Sequence, residues 1–481
     1  MTNQKLAIGI PTLNEATVIR NLILQLRERF PNSLMIIVDD NSSDGTQDII
    51  RELAATDALL MLIARPRKLG IGSAHQEIIA KAYEQKCNKL LTLDADGTHS
   101  VADVAELLSS IGESDIIVGS RYLSNKSLAG WSLYRKTLTY VGHFLTSFFL
   151  KIPYDSTGSL RLYDLTAIPQ ELFRLVRSKG YAFFFESMFL LTVNGFRIKE
   201  VSVALPARTY GTSKMELRQA FISLMFLVRL YIEARIARDY FITKRLPEKI
   251  QIKAKSYSEW NDYWVSDVSY NSLYSAIYPI PSSLYRYYII RPSLERVVRK
   301  YLVKNSKLLH VGSGSGQVDI SLRYDYKITA LDSSFEAANY YYNLNADYCS
   351  VLCEDLLTID IKEEYDAAYS LGLFEHFTEQ QIYTAINKLK DSIRPGGYLI
   401  TFWPPEFGLS VRFFKVLGYL VAGDSSNRSD QFHPPEINRL KSKEQAVQIF
   451  KDSGMEIVDV IFNFKDLYTQ IQIIAQKPLN L

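Results

Sequence analysis

The chain has 481 residues, 47% of them hydrophobic and 22% charged, and a formal net charge of +3. This length exceeds one ordinary hydrophobic core, so two or three domains are expected, and the near-neutral charge gives no reason to propose a nucleic-acid partner. The three cysteines, at positions 87, 349 and 353, show neither a disulfide framework nor metal-ligand spacing, which fits a reducing, cytosolic compartment.

The start of the chain, MTNQKLAIGIPTLNE, enters a strand pattern without the basic and apolar regions of a signal peptide. No stretch of about 18 apolar residues without charge follows, so we expect no membrane-spanning helix. These features predict a protein of the cytoplasm.

Short apolar runs alternate with helical patterns over the first 120 residues. The runs lie at residues 6–10, 34–38, 59–64, 89–93 and 115–118. This alternation is the βαβ pattern of an open, largely parallel sheet, in which ligands bind at the carboxyl ends of the strands. Polar clusters directly after these runs are therefore candidates for a binding site.

Four polar clusters follow the predicted strands: PTLNE (11–15), DDNSSDGT (39–46), DADGTH (94–99) and GSRY (119–122). Asp94 and Asp96, separated by one residue, can share a divalent cation that bridges the diphosphate of a nucleotide sugar and stabilises the departing nucleotide. Asp39 and Asp40 can accept hydrogen bonds from a ribose or a base, and Gly45 permits the turn into the next helix. For a single DxD motif, an Asp-rich loop that caps a helix is the alternative.

Two apolar helical patterns come next, at residues 131–150 and 215–240. Each carries basic residues to one side, which suits a helix lying in a membrane interface. A buried core helix explains the same pattern equally well.

A charged, turn-permissive stretch, KRLPEKIQIKAKS at residues 244–256, marks the predicted domain boundary. An aromatic-rich segment follows it, and a second alternating α/β pattern starts at Lys307. We therefore predict one domain over residues 1–245, a helical connector over 246–300 and another domain over 301–481.

Three more motifs complete the first half: DSTGSLR (155–161), FE (185–186) and RTYGTSK (208–214). The whole series resembles the family-two glycosyltransferases, and within them the dolichyl- or polyprenyl-phosphate mannosyltransferases, over about residues 5 to 235. The resemblance implies a GT-A type fold and an inverting transfer from a nucleotide sugar, typically GDP-mannose, onto a polyprenyl monophosphate.

The resemblance also implies roles for individual residues. Those implied to hold the nucleotide sugar are Pro11, Leu13, Glu15, Asp39, Asp40 and Asp94. Those implied to hold Mg²⁺ or Mn²⁺ are Asp94, Asp96 and Thr98, and those implied to hold the acceptor phosphate are Arg121, Arg135 and Thr139. The catalytic residues are implied to be Asp96, Arg121, Arg208 and Lys214, although a solvated basic loop is the alternative for the last two.

The chemistry agrees with these roles. A lipid phosphate is already an anion, so its attack needs little help from a general base, and positioning and charge neutralisation dominate. Arginine suits phosphate because its planar fork donates two parallel hydrogen bonds.

Three positions depart from the family pattern. Leu13 replaces an aromatic residue, Thr98 replaces a glutamine near the metal, and Ser159-Leu160 replaces a Gly-Phe pair. The last change leaves room for a different acceptor. A sugar hydroxyl as acceptor would need a general base, for which Asp155 and Glu186 are the candidates.

In the second half, the strand LLHV (308–311) runs into the glycine turn GSGSG (312–316). Glycines in such a turn let the backbone approach a ligand closely, and the next helix presents its N-terminus. A dinucleotide-binding turn has similar spacing. Later strand ends carry Asp332 and Asp355, followed by EH at 375–376 and RPGG at 394–397.

This order resembles the class I S-adenosylmethionine-dependent methyltransferases over about residues 300 to 475, and the last two motifs are not those of dehydrogenases. The resemblance implies a Rossmann-like fold with S-adenosylmethionine as cofactor. Gly312, Gly314 and Gly316 would line its methionine part, Asp332 its ribose and Asp355 its adenine.

Two histidines affect the methyltransferase interpretation. His376 is the candidate general base because its pKa lies near neutrality, and a structural role at the strand end is the alternative. His310 stands where an acid is common, just before the glycine turn, so a non-catalytic binding module is a further alternative for this half.

We therefore predict an α/β protein of two three-layer domains, a GT-A type fold followed by a Rossmann-like methyltransferase fold. The predicted activities are metal-dependent transfer of a sugar to a polyprenyl or dolichyl phosphate, and methylation of a related glycan or lipid-sugar. The expected partners are the nucleotide sugar, the lipid phosphate and a membrane surface, bound peripherally on its cytoplasmic face. Transfer to a saccharide hydroxyl in glycan assembly is the alternative.

Overall fold

The structure is a computed structural model of the chain. It describes residues 5–205 apart from 111, 113, 125, 126 and 129; residues 217–243 apart from 237; residues 251–252; and residues 279–479 apart from 346, 347, 414, 415 and 417–435. The chain divides into two compact units, of which the first includes Met1–Ile232 and the second includes Leu273–Leu481.

In the first unit, strands and helices alternate along the chain. They are β1 (Leu6–Thr12), α1 (Ile19–Arg29), β2 (Leu34–Asp39), α2 (Thr46–Ala54), β3 (Leu60–Ala64), α3 (Ile71–Glu84), β4 (Lys89–Thr92), α4 (Val101–Ser109), β5 (Ile116–Ser120), α5 (Leu133–Leu150), β6 (Arg161–Asp164), α6 (Gln170–Arg174), α7 (Phe183–Val193), β7 (Ile198–Ser202) and α8 (Leu217–Ile236). Their described strands form a seven-stranded sheet in the order β3-β2-β1-β4-β6-β5-β7.

The central strands of this sheet are buried on both faces. All six residues of β2 (LMIIVD) are buried, as are all residues of β1 after Leu6. Parallel strands covered by helices on both faces read as continuous apolar runs, which explains why these segments lack an alternating pattern. The predicted strand runs and both apolar helices are confirmed.

The second unit contains another alternating series. Its elements are β8 (Gln251–Ile252), α9 (Pro279–Tyr285), α10 (Arg291–Tyr301), β9 (Lys307–Val311), β10 (Lys327–Asp332), α11 (Phe335–Asn345), β11 (Cys349–Cys353), β12 (Tyr365–Leu371), α12 (Glu379–Ser392), β13 (Ile393–Trp403), α13 (Lys443–Asp452), β14 (Glu456–Ile461) and β15 (Ile471–Gln476). The described strands form an eight-stranded sheet in the order β14-β15-β13-β12-β9-β10-β11-β8.

Each sheet reverses its strand order once near its centre. In the first unit the chain moves outward from β1 through β2 to β3 and then returns to place β4 on the other side of β1. In the second unit β10 and β12 lie on opposite sides of β9 in the same way. Ligands of open α/β sheets bind at such reversal points, outside the carboxyl ends of the strands. The predicted fold of two α/β units is confirmed.

Two strand directions were not expected from the sequence. β6 runs antiparallel between β4 and β5, and β15 runs antiparallel between β13 and β14. Among the described residues, no helix combines the length and the apolar character needed to cross a membrane.

Candidate active sites

The loops after β1 and β2 are joined by hydrogen bonds. The backbone N–H of Asn14 donates to Ser42 Oγ at 2.8 Å, and that of Ser43 donates to Asn14 Oδ1 at 2.8 Å. The N–H of Glu15 donates to Thr46 Oγ1 at 2.9 Å. Asn14 has a φ of 53°, a conformation that asparagine tolerates better than most residues. The first two predicted motifs therefore form one wall beside the reversal point.

Asp39 and Asp40, predicted to contact the nucleotide, are both buried. Asp39 Oδ1 accepts a hydrogen bond from the N–H of Ser42 at 2.8 Å. Asp40 accepts bonds from the N–H groups of Leu69 at 2.7 Å and Gly70 at 2.8 Å. Both carboxylates therefore fix the shape of neighbouring loops, and their contact with a nucleotide stays a prediction.

The DADG loop follows β4, the strand on the other side of β1. Asp96 Oδ1 accepts two hydrogen bonds from Thr98, from its N–H at 3.1 Å and its hydroxyl at 2.6 Å. The side chain of Asp94 is 32% exposed, and His99 Nε2 lies 3.9 Å from its Oδ2. Burial lowers the pKa of His99 despite the nearby aspartates, so the imidazole is neutral near pH 7. It therefore does not neutralise the two carboxylates.

The donor set after β4 fits a hard divalent cation. In the described part of the chain, no three His, Cys, Asp or Glu side chains converge on one point. Mg²⁺ is commonly held by one or two carboxylates together with water and substrate phosphates, not by a closed protein cage. Asp94 and Asp96 match that requirement, whereas the roles of these residues and of Thr98 as ligands stay predictions.

Arg121, directly after β5, forms a largely buried ion pair with Asp155, with side-chain exposures of 11% and 0%. Its Nε donates to Asp155 Oδ2 at 2.8 Å and its Nη2 donates to Oδ1 at 2.7 Å; Nη2 also contacts the Thr157 hydroxyl. Burial alone would raise the pKa of Asp155, but the charge and hydrogen bonds of Arg121 outweigh it and lower that pKa to about 2. The guanidinium is thus fixed in place at the carboxyl edge of the sheet.

Helix α5 lies against this arginine through Tyr122. The Tyr122 hydroxyl donates to the backbone carbonyl of Thr139 at 3.2 Å, and its ring stacks on His143 at a centroid distance of 4.0 Å. The backbone of Thr139 is therefore held by Tyr122, the residue directly after Arg121, and the joint role of Arg121 and Thr139 at an acceptor phosphate stays a prediction. The side chain of Arg135 lies outside the described residues.

Two other predicted catalytic residues, Arg208 and Lys214, also lie outside the described residues. The contacts of Tyr122 and His143 were missed from the sequence, because a tyrosine after an Arg and a histidine in an apolar helix carry no signal of their own.

The candidate bases for a sugar-hydroxyl acceptor are poorly suited to that role. Asp155 is bound by Arg121 and has a pKa of about 2, too low to remove a proton from a hydroxyl efficiently. Glu186 is fully buried and accepts hydrogen bonds from the N–H groups of Arg177 at 3.1 Å and Ser178 at 2.8 Å. These contacts favour structural roles for both carboxylates.

In the second unit, a cavity of about 380 Å³ lies outside the carboxyl ends of β9, β10 and β12. The predicted residues that line it are Gly312, Gly314, Gly316, Asp332, Asp355 and His376. Its position coincides with the reversal of strand order, so the predicted residues share one site.

Two glycines of this turn lie where a side chain would be unfavourable. Gly316 has a φ of 70°, and a Cβ there would lie 2.5 Å from atoms of both Tyr341 and Asn345. Gly312 has a φ of 62°, and a Cβ there would lie 2.9 Å from Leu373. The positive φ favours glycine at both positions, and at Gly316 the close packing against the Tyr341 ring also excludes a larger residue.

Asp332 closes the turn from the end of β10. Its Oδ2 accepts a hydrogen bond from the N–H of Gly314 at 2.9 Å, and its Oδ1 accepts one from the N–H of Ser334 at 3.0 Å. Burial raises the pKa of Asp332 despite these bonds. Asp355 Oδ1 accepts a bond from the N–H of Leu357 at 2.9 Å, which shapes the next strand end. Both carboxylates therefore fix the shape of the cavity wall, and their contact with a ligand stays a prediction.

Two family models match the chain, one in each unit. The model described as glycosyl transferase family 2 matches residues 7–181, and the model described as a methyltransferase domain matches residues 308–397. The undecaprenyl-phosphate mannosyltransferase of Micrococcus luteus is 30% identical over 207 residues, which are 43% of this chain and 85% of that protein. The polyprenol monophosphomannose synthase of Mycolicibacterium smegmatis is 28% identical over 215 residues, 44% of this chain and 81% of that protein.

Similar solved structures include methyltransferases. A SAM-dependent methyltransferase from Methanosarcina mazei is 17% identical and covers 38% of this chain and 98% of its own, with a TM-score of 0.31. Magnesium protoporphyrin IX methyltransferase from Synechocystis PCC 6803 is 17% identical and covers 39% of this chain and 81% of its own, with a TM-score of 0.30.

Proposed function

This chain belongs to glycosyl transferase family 2 and carries a methyltransferase domain in its second half, and we propose that it transfers mannose from GDP-mannose to a polyprenyl phosphate. The observation that carries the proposal is the position of Asp94 and Asp96. They follow β4 at the reversal point of the first sheet, beside the joined loops after β1 and β2. The names of the two mannosyltransferase relatives support mannose and a polyprenyl phosphate as substrates.

In this proposal Asp94 and Asp96 would hold Mg²⁺ or Mn²⁺, and the cation would supply positive charge for the diphosphate of the departing nucleotide. The end of β1 with Pro11, and the loop after it with Leu13 and Glu15, hold the nucleotide sugar. Arg208 and Lys214 supply further positive charge around the phosphates. The protein contributes positioning and fixed charges, because the attacking lipid phosphate is already an anion.

The acceptor phosphate is proposed to bind at Arg121 and Thr139, with Arg135 on the same helix. The Nε and Nη2 atoms of Arg121 contact Asp155, so the Nη1 end is the one offered to the phosphate. Because Asp155 prevents rotation of the guanidinium, Arg121 requires little reorganisation when the phosphate binds.

One face of α5 fits attachment to a membrane surface. Leu133, Tyr140, Phe144 and Phe148 are all exposed, the last two by 64% and 65%, and their spacing of seven, four and four residues places them on one side of the helix. An exposed apolar helix face of this kind suits a peripheral position at a bilayer, here its cytoplasmic face. The lipid acceptor would then reach Arg121 from the bilayer.

For the second unit we propose S-adenosylmethionine-dependent methylation of a related glycan or lipid-sugar. Gly312, Gly314 and Gly316 would hold the methionine part of the donor, Asp332 its ribose and Asp355 its adenine. When bound, the donor supplies an electrophilic methyl group. His376, which lines the cavity, is the proposed base for the acceptor.

The lipid requirement tests the first activity. Purified full-length protein with Mg²⁺ or Mn²⁺ is expected to release GDP from GDP-mannose only when polyprenyl phosphate is present, and to release little UDP from UDP-glucose. Polyprenol without phosphate is the matched control and is expected to give no turnover. Turnover with a saccharide acceptor and none with the lipid phosphate would refute the lipid acceptor and the phosphate-binding role of Arg121.

The glycine turn tests the second activity. Gly316→Ala is expected to weaken S-adenosylhomocysteine binding at least about tenfold, because the added Cβ forces the turn to shift. Gly454→Ala is the matched control: its φ is also positive, at 71°, but its Cβ would meet only Lys390 Nζ at 3.5 Å. Isothermal titration calorimetry measures both. Equal affinities for wild type and Gly316→Ala would contradict the assignment of this turn.

A further inference from the structure

His310 lies at the carboxyl end of β9, where its side chain points to one face of the second sheet. Leu309 and Val311 belong to the hydrophobic core on one side, whereas Leu308 packs in the core on the other. Because side chains alternate along a strand, His310 shares the face of Leu308. On that face its ring stacks on Tyr369 of β12, with centroids 4.4 Å apart and planes at 20°.

A buried carboxylate holds the ring of His310. Its Nδ1 lies 2.6 Å from Asp319 Oδ2, and the exposed fractions of the two residues are 1% and 0%. The hydroxyl of Tyr341 donates to Asp319 Oδ2 at 2.7 Å, and that of Tyr369 donates to Oδ1 at 2.6 Å. Asp319 comes from the short helix directly after the glycine turn, Gln317–Asp319.

The two tyrosines show which atoms of this cluster donate hydrogen bonds. Burial, and then the negative charge of Asp319, raise the pKa values of Tyr341 and Tyr369 well above that of an ordinary tyrosine, so both phenols donate hydrogen bonds. An ionised carboxylate can accept all three bonds. Since both phenols donate to Asp319, its carboxylate is the acceptor of the cluster; in the tautomer that fits this pattern, the Nδ1–H of His310 also donates to Asp319 and Nε2 is the acceptor of the ring.

The Nε2 atom of His310 is placed where a ligand in the cavity can reach it. His310 lines the cavity together with Gly312, Gly314 and Asp332. Its Nδ1 edge is held by Asp319 and one face of its ring is covered by Tyr369, so the opposite edge, which carries Nε2, is the one available to a ligand.

We propose that the Asp319–His310 pair recognises the α-ammonium group at the methionine end of S-adenosylmethionine, an inference that rests on the proposed methyl-donor site. Nε2 accepts a hydrogen bond from the ammonium group. Asp319 is a positioning residue that fixes the tautomer and supplies the negative charge from behind the ring. An acid is common at position 310 in the family that this half resembles, and this chain has a histidine there. In the proposal, Asp319 supplies the negative charge that an acid at position 310 would otherwise provide.

Two probes separate this contact from general loss of the site. S-adenosylhomocysteine carries the α-ammonium group, and methylthioadenosine lacks it while keeping the ribose and adenine. With full-length protein in titration calorimetry, Asp319→Asn is expected to lower the affinity for S-adenosylhomocysteine at least about tenfold, as expected for a lost charge-assisted hydrogen bond. Its affinity for methylthioadenosine is expected to stay unchanged.

A double variant and a control complete the test. His310→Asp/Asp319→Asn moves the carboxylate to the cavity wall and is expected to restore binding of S-adenosylhomocysteine. Asp325→Asn is the matched control, because Asp325 pairs with Arg299 and Lys304 and does not line the cavity. It is expected to bind both probes like the wild type.

The outcomes distinguish the inference from the function on which it rests. If the wild type binds neither probe, the donor site itself is refuted, and the inference with it. If the wild type binds both and Asp319→Asn weakens both equally, or neither, the ammonium contact is refuted while the donor site stands. Failure of the double variant to recover S-adenosylhomocysteine binding, although it binds methylthioadenosine, would also overturn the inference.

Discussion

Asp96→Asn is expected to lower the rate of metal-dependent sugar transfer about a thousandfold. The variant keeps the shape of the side chain and its capacity to accept the two hydrogen bonds from Thr98, but it removes one of the two negative charges after β4. A divalent cation held by Asp94 alone would bind more weakly and would neutralise less of the diphosphate. Release of GDP from GDP-mannose, measured over a range of Mg²⁺ or Mn²⁺ concentrations, checks this.

Asp48→Asn is the matched control for this substitution. Asp48 lies in α2, and its side chain is exposed. Among the ion pairs of the described residues it takes part in one, with Arg51, at an Nη1–Oδ1 distance of 2.9 Å. Its loss is expected to leave the transfer rate unchanged. A transfer rate for Asp96→Asn within a few-fold of wild type at saturating metal would show that the DADG loop does not hold the cation.

Asp155→Ala is expected to destabilise the first unit by about 3–5 kcal/mol and to reduce sugar transfer strongly. The substitution leaves the buried guanidinium of Arg121 without its carboxylate and removes the acceptor of the N–H groups of Thr157 and Gly158. Hydrogen–deuterium exchange of peptides that cover β5 and β6 measures the loss of stability locally.

The ion pair of Asp115 with Arg197 is the control for Asp155. It also lies beside β5, with an Nη2–Oδ1 distance of 2.9 Å, but the side chain of Arg197 is 61% exposed. Asp115→Ala is expected to cost about 1 kcal/mol or less, since solvent screens a pair of this kind. Equal exchange rates for the two variants would contradict the importance of burial at Asp155.

The Asp155 pair is also expected to lose its stabilising effect in acid. The pKa of Asp155 is about 2 in the folded state and 3.8 for an ordinary aspartate, so the carboxylate is favoured by folding. Its contribution of about 2 kcal/mol is therefore complete above pH 4 and is lost as the pH falls toward 2. The difference in thermal midpoint between wild type and Asp155→Ala should shrink over that range. A constant difference would refute the charge-based account.

The fold class and most of the elements could be predicted from local patterns in the sequence. Apolar runs of four to seven residues separated by helical patterns are local signals, and they located β1, β2, β4, β9 and β10 because burial on both faces requires continuous apolar strands. The glycine turn at residues 312–316 was equally local, since a positive φ excludes most other residues. Polar residues at strand ends could be assigned to one site because the carboxyl ends of parallel strands meet at one edge.

Which polar groups meet depends on how distant parts of the chain fold together. Arg121 and Asp155 are 34 residues apart, and the hydrogen bond between His310 and Asp319 depends on how the glycine turn folds back over β9. From the sequence, Asp155 was a candidate general base and His310 a departure from the methyltransferase pattern. In the structure, Asp155 is a fixed counter-charge for Arg121. His310, held by Asp319, is a candidate hydrogen-bond acceptor. Such pairings depend on the order and direction of the strands, including the antiparallel β6. Hydrophobic periodicity indicates only which face of a helix or strand is buried, so it could not predict them.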